Sequence, residues 1–227
     1  MIEPTGLHAV VTGDTVGSSD LSPDVRRRLP SIFHAAYDAV QDSAPESLPY
    51  DLAITGGDGW QWYIHEPETA LARVLQFWTL LFSQGISSRM ALAIDTIDFV
   101  SAEDLNESDG PAFRQSGRML SDLDADRQFD CALPAGTSSA QRLAIESIGE
   151  LIDHLLQQWT EAQAQAIAGM VSTVGTDRTR TQEEVAEAWT PEPVARQTVN
   201  RHLKRAYWHR LERTLDRFKE LVETLTK

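Results

Sequence analysis

No lysine precedes Lys204 in this 227-residue chain, and cysteine occurs once, at Cys131. A single thiol excludes an internal disulfide framework and a cysteine-rich zinc site, and its apolar setting predicts a core residue. No apolar run reaches membrane-spanning length and no basic leader precedes a hydrophobic segment, so the expectation is a cytoplasmic protein without a membrane partner. Glycine-rich Walker loops are missing too. The six histidines, His8, His34, His65, His154, His202 and His209, show no pair at metal-ligand spacing.

What is present divides the chain by charge. Residues 1–177 hold 26 acidic and 9 basic side chains, for −17, and residues 178–227 hold 8 and 11, for +3; the two sum to the chain's −14. A change of sign at one position predicts two modules with different partners. The boundary drawn from the element pattern lies earlier, with one domain over residues 1–137 and a helical connector and second module over 138–227.

The first module reads as strand, helix, strand, strand, helix, strand. LHAVVTGD (Leu7 to Asp14) is a buried strand. Pro23 to Gln41 carries apolar residues at helix-face spacing, YDLAI and WQWYI form a hairpin around TGGDGW, and a second helix covers Glu68 to about Ser83. SRMALAIDTI (Ser88 to Ile97) closes the set. This order predicts an α+β fold: a ferredoxin-like, palm-type βαββαβ antiparallel sheet with both helices on one face. A third helix from Pro111 to about Leu123 and a strand in RQFDCALP follow. Ser138 to about Ser172 reads as one helix, whose stripe of Ile148, Ile152, Leu155, Trp159, Ala162 and Ala166 serves either its own chain or a homodimer seam.

That order sets the end of the first strand beside the hairpin turn, and so Asp14 beside Asp58. Asp58 is either a turn residue or one of a pair of carboxylates that a divalent cation reconciles; oxygen donors point to Mg²⁺ or Mn²⁺. The following loop, Thr15, Val16, Gly17 and Ser18, offers backbone amides to a phosphate. Together these predict a nucleoside triphosphate. Trp60 and Trp62 alternate with Gln61, so one set faces the core and the other the site.

The stretches DTVGSS, GGDGW and GPAFRQSGR resemble the metal-binding and helix motifs of class III nucleotidyl cyclases. That resemblance implies metal ligands at Asp14 and Asp58, a cyclic nucleotide as a product or ligand, a transition-state arginine at Arg118 and an active site shared between two chains. Arg114 stands where the family has asparagine, and Ile54 where a lysine reads adenine. Arg114 and Arg118, four apart on a helix face, retain the chemistry of a phosphate clamp. Over its whole length the chain resembles the SatD-like bacterial proteins, which look like a reduced cyclase palm followed by a helix-turn-helix.

The C-terminal stretch TQEEVAEAWTPEPVARQTVNRHLKRAYW resembles the helix-turn-helix of bacterial regulators. Thr181 with Glu184 forms a capping box, and the Pro-containing turn Thr190 to Pro193 ends the first helix. The second helix turns Val199, Leu203 and Ala206 inward and leaves Arg196, Gln197, Thr198, Asn200, Arg201, Lys204 and Arg205 for DNA, or serves oligomer packing instead. Three functions follow: a nucleotide- and metal-binding regulator acting on DNA, an active nucleotidyl cyclase whose tail serves assembly, or a scaffold that kept only the fold.

Overall fold

The computed structural model describes residues 4–225. Strand β1 (His8–Thr15) leads through a short 3₁₀ turn into helix α1 (Pro23–Ser43), capped by the Ser22 hydroxyl. The hairpin β2 (Ala53–Thr55) and β3 (Gly59–Ile64) precedes α2 (Ala70–Phe82), β4 (Ser88–Asp95), α3 (Pro111–Asp122) and β5 (Phe129–Ala132). The sheet order is β2-β3-β1-β4-β5, antiparallel except for the parallel β4–β5 edge. The first four strands form the expected split βαβ arrangement, and the strand expected in RQFDCALP adds the fifth.

Strand alternation assigns the two faces. Trp60 and Trp62 are buried and meet Phe77 of α2, and Trp62 also meets Tyr37 of α1. Gln61, between them, points the other way and donates to Thr12 at 2.7 Å, which shares a 2.8 Å hydrogen bond with Ser116 of α3. The tryptophans are therefore core residues under α1 and α2, while α3 covers the opposite face. Gly13 is required where β1 runs beneath the Trp60 ring, because a Cβ there would lie 2.2 Å from a ring carbon.

The expected helix from Ser138 to Ser172 is two helices, α4 (Ser139–Gln158) and α5 (Glu161–Val171). Trp159 leaves helical geometry, and a capping box between Thr160 and Gln163 starts the second segment. That box was legible in TEAQ, but the continuous apolar spacing masked it. Ile152, Trp159 and Ala166 of the stripe are buried within the chain and Ile148 and Leu155 half-buried, so most of the stripe packs on its own protein. Helices α6 (Gln182–Glu187), α7 (Arg196–Arg205) and α8 (Trp208–Glu223) complete the described chain.

Helix α2 is apolar on every side because it has neighbours on every side: the sheet below, α1 beside it and α5 above. Its one charged residue, Arg73, is fully buried. The guanidinium donates to the carbonyls of Ser172 and Val174, just past the end of α5, and to Gln76 and Ser43. A helix C-terminus leaves carbonyls without partners, and a cation placed there meets both their hydrogen-bonding need and the helix dipole. Burial lowers the Arg73 pKa to about 10, opposed by Glu66. Replacing Arg73 with Ala leaves those carbonyls without donors and opens a cavity. Urea denaturation is expected to show a loss of about 3 kcal/mol, only partly restored by Arg73→Lys, which has no planar fork.

At the other end of β1, His8 is buried with Nδ1 2.9 Å from the Tyr63 hydroxyl and Nε2 3.2 Å from the Thr5 carbonyl. Nδ1 also lies 3.0 Å from the His65 carbonyl, so both ring nitrogens face carbonyl oxygens, and a neutral ring donates to only one of them. Burial lowers its pKa, with His65 adding repulsion against two favourable carbonyl contacts. His202 is lowered as well, by burial and then by Arg201 and Arg205. With both folded pKa values below the unfolded value, the unfolded chain binds more protons as pH falls through about 6.5. Their stabilisation is complete above that pH and declines below it. Unfolding free energy is expected to fall between pH 7.5 and 5.5, with a smaller fall in His8→Gln.

Candidate functional site

The hairpin turn delivers Asp58 to β1 through backbone geometry. Gly56 and Gly57 adopt φ of +63° and +89°, the region that favours glycine, so the reversal rests on this pair and Gly59 already belongs to β3. Asp14 lies opposite Gly59 in the β1–β3 register, and the Thr15 amide donates to the Asp58 carbonyl at 3.0 Å. The expected adjacency of the two segments is present.

The carboxylates are not left facing each other without a basic neighbour. On its other side β1 pairs with β4, which places Arg89 directly opposite Asp14. Arg89 grips Asp14 with two hydrogen bonds, Nε to one oxygen at 3.1 Å and a terminal nitrogen to the other at 2.6 Å. The hydrogen bonds to Asp14 raise the Arg89 pKa. Asp58 meanwhile accepts from the Ser18 hydroxyl at 2.6 Å. Both Asp14 oxygens and one Asp58 oxygen are therefore engaged, and among the described residues no group of three or more His, Cys, Asp or Glu is arranged around a metal position. The donor set suits a hard cation in type, but such an ion must compete with Arg89 for Asp14.

The expected amide cradle is narrower than the sequence implied. The Thr15 amide is used by Asp58 and the Val16 amide by the Ser87 carbonyl at 2.9 Å, because β1 is still being held on both sides at that point. Gly17, with φ +63°, and Ser18 turn the chain into the 3₁₀ segment Ser18–Asp20. Arg26 of α1 folds back onto the carbonyls of Ser18, Ser19 and Leu21. It shapes this loop from behind, and Arg27 pairs with Asp24 instead.

The arginines of α3 are engaged away from Asp14. Arg114 forms ion pairs with Asp98 at 3.2 Å and Asp109 at 2.7 Å, and Arg118 donates to the Arg114 carbonyl at 3.2 Å. Four-residue spacing gave them a common helix side, but the acidic loop before α3 claims Arg114 for itself. Asp98 thus has a structural partner, and Asp95 accepts from the Thr96 amide. Ile54 is half-buried against the core.

Sequence reasoning missed Arg89. The signal was available: Met90, Leu92 and Ile94 define one face of β4, so Arg89 must lie on the other, the face that carries Asp14. Register decided the rest, since a shift of one residue would have turned Arg89 away.

In the C-terminal part the capping box of Thr181 with Glu184 is formed, and burial of Val185, Ala186, Val199, Leu203 and Ala206 follows the expected pattern. On α7, Arg196, Gln197, Arg201, Lys204 and Arg205 are exposed, whereas Thr198 and Asn200 are half-buried. The connection from Ala188 to Ala195 spans eight residues and contains a cis Thr190–Pro191 bond. It is longer than the three- to four-residue turn that typifies helix-turn-helix units. The ring of Trp189 stacks on His202 of α7, and the Val194 amide donates to the Ala186 carbonyl at 3.0 Å, fixing the two helices together.

No protein-family profile and no curated protein matches the chain. Among solved structures it is similar to the guanylyl cyclase Cya2, at 13% identity and a TM-score of 0.41 over 58% of this chain and 77% of that one. It is also similar to the adenylyl cyclase CyaB from P. aeruginosa, at 12% identity and a TM-score of 0.38 over 57% of this chain and 76% of that one.

Proposed function

We propose that the sheet domain is a nucleotide-binding regulatory domain and that α6 and α7 carry its output to DNA. The observation that supports this reading best is the partly exposed Asp14–Arg89 pair, set beside Asp58 and the Thr15 to Ser18 loop. In the resting protein the guanidinium neutralises Asp14. A nucleoside triphosphate or a cyclic nucleotide offers Arg89 a second oxyanion to grip through two oxygens, with the Gly17 and Ser18 segment alongside. Asp14 and Asp58 would then hold the Mg²⁺ or Mn²⁺ that accompanies a triphosphate, and the ion's contribution is charge neutralisation.

Binding is favoured over cyclisation by two side chains. Ile54 offers no hydrogen bond to a base, and Arg114 is committed to Asp98 and Asp109. The expected DNA surface narrows to Gln197, Arg201, Lys204 and Arg205, which share one side of α7, with Arg196 at its start. A homodimer would present that surface twice, in the manner of two half-sites.

Isothermal titration with each nucleoside triphosphate and Mn²⁺ is expected to give saturable binding that Asp58→Ala abolishes. Arg89→Gln is expected to weaken the triphosphate about tenfold, the scale of a lost charged hydrogen bond, while tightening Mn²⁺ alone by removing its competitor. No binding of any triphosphate, nor of the corresponding cyclic nucleotides in a parallel titration, would overturn the nucleotide reading, and pyrophosphate release from any triphosphate would restore the cyclase. For the output, a mobility shift on a random-sequence duplex pool is expected to weaken steeply with salt and to disappear in Arg201→Ala. A shift unaffected by Arg201→Ala would reject α7 as the contact surface.

A further inference from the structure

A cavity of about 850 Å³ lies between the helices of the sheet domain and the C-terminal helices, in the range of small-molecule sites. None of its walls belongs to the sheet, so it is separate from Asp14 and Asp58. One side is Ser43 of α1 with Gln76 and Leu80 of α2; the other is α5, α6 and the linker, with Val185 and Trp189 as its apolar surface.

We infer that this cavity binds a small organic anion with a planar apolar body. The unpaired donors on its wall are the first reason. Arg178 and Arg180 of the linker stand on its wall, and neither has an ion-pair partner among the described residues. Behind the wall lies Arg73, fully buried, with no carboxylate in ion-pair contact and its Nε without a hydrogen-bond partner. Arg73 donates to Gln76 Oε1 at 3.2 Å and Ser43 Oγ at 3.4 Å, so two cavity residues are polarised by a buried cation. Two carboxylates, Asp42 and Glu184, stand on the same wall, and Glu66 acts on Arg73 from outside the cavity. Glu184 is already committed to the Thr181 cap, where the Thr181 amide and hydroxyl lower its pKa and Arg180 adds to the effect. Arg178 and Arg180 thus keep guanidinium donors without a side-chain partner among the described residues, and an anion is the ligand that would engage both.

The second reason is shape and chemistry together. Trp189 and Leu80 supply an apolar flank, and Arg178 and Arg180 of the linker supply the polar one, since the buried Gln76 amide is already engaged by Arg73, Ser43 and the Ala39 carbonyl. Such a site orients an amphipathic ligand in one sense, acid group toward the arginines and ring toward Trp189.

Occupancy has a mechanical consequence. Helix α6 is seated on α5 where Gly169 lets Val185 approach; a Cβ at Gly169 would meet Val185 at 2.7 Å. The Gln165 side chain donates to Thr190 Oγ1 at 2.7 Å, holding the α6–α7 connection to α5. A ligand bridging α1 and α2 to α6 and the linker therefore fixes the position of the helix pair that ends in α7. Only this regulatory consequence rests on the DNA reading; the binding itself does not.

The probe is 8-anilinonaphthalene-1-sulfonate, an aromatic anion, titrated into the full chain by fluorescence. One saturable site is expected, weakened about tenfold or more when two charged hydrogen bonds are lost in Arg178→Ala/Arg180→Ala. Arg213→Ala/Arg217→Ala on α8 makes the same charge change away from the cavity and is expected to leave binding intact. Ser83→Trp, which fills the cavity from the α2 side, is expected to abolish it, with circular dichroism confirming that each variant is folded. Absence of a saturable site, or equal binding by the two double variants, overturns the inference. Loss of nucleotide binding in Asp58→Ala with unchanged probe binding separates this site from the sheet site.

Discussion

Arg73 ties the two halves of the protein together. It sits in the middle of a helix that is otherwise apolar, fully buried, and satisfies the carbonyls that α5 leaves open at its end. A buried cation without a carboxylate partner is tolerated only where oxygen dipoles replace water, and the end of a helix supplies such dipoles in a fixed direction. The position of α5 over α2 is thereby specified by hydrogen bonding as well as by apolar contact. Helix α6 packs on α5 through Gly169 and α7 packs on both, so the placement of this helix pair follows from the seating of α5, while α8 is also held by the Pro67–Thr69 turn and by α4.

The same principle, a guanidinium supplying what a neighbouring element lacks, recurs at the sheet's edge of function. Arg89 neutralises Asp14 across the β1–β4 register, and Arg26 gathers the carbonyls of the loop that follows. Acidic side chains greatly outnumber basic ones in residues 1–177, so each arginine there is under strong demand from its surroundings. Arg114 illustrates the outcome, drawn to Asp98 and Asp109 of its own loop. A site read from carboxylate positions alone misses this competition, since Coulombic partners are set by three-dimensional proximity and not by motif.

Much of the fold was legible. Period-2 and period-3.6 patterns located β1, the hairpin, α1, α2, β4 and α3, and the element order then left one economical sheet. Trp60 and Trp62 could be placed on the core side once one face of β3 had to be buried. The pairing of β1 with the hairpin turn also followed from order, which is why Asp14 and Asp58 fall at adjacent positions. Where the reading failed, a local signal was outweighed by a longer pattern: the Thr160–Gln163 box lies inside an apolar stripe that continues across it.

The sequence by itself determined most elements of the first module, the arrangement of its first four strands and the division of charge, because these depend on side-chain periodicity and on turn chemistry within a few residues. It also determined which faces had to be covered. Only the tertiary structure decided which groups answer each other: Arg89 with Asp14, Ser18 with Asp58, Arg73 with the end of α5, and the cavity between α2 and α6. Each of those contacts joins residues distant in the chain, and each depends on a strand register or a helix seating precise to a single residue. Hydrogen bonds, including those within ion pairs, lose their strength within about an ångström of misplacement, a tolerance finer than any periodicity in the sequence can encode.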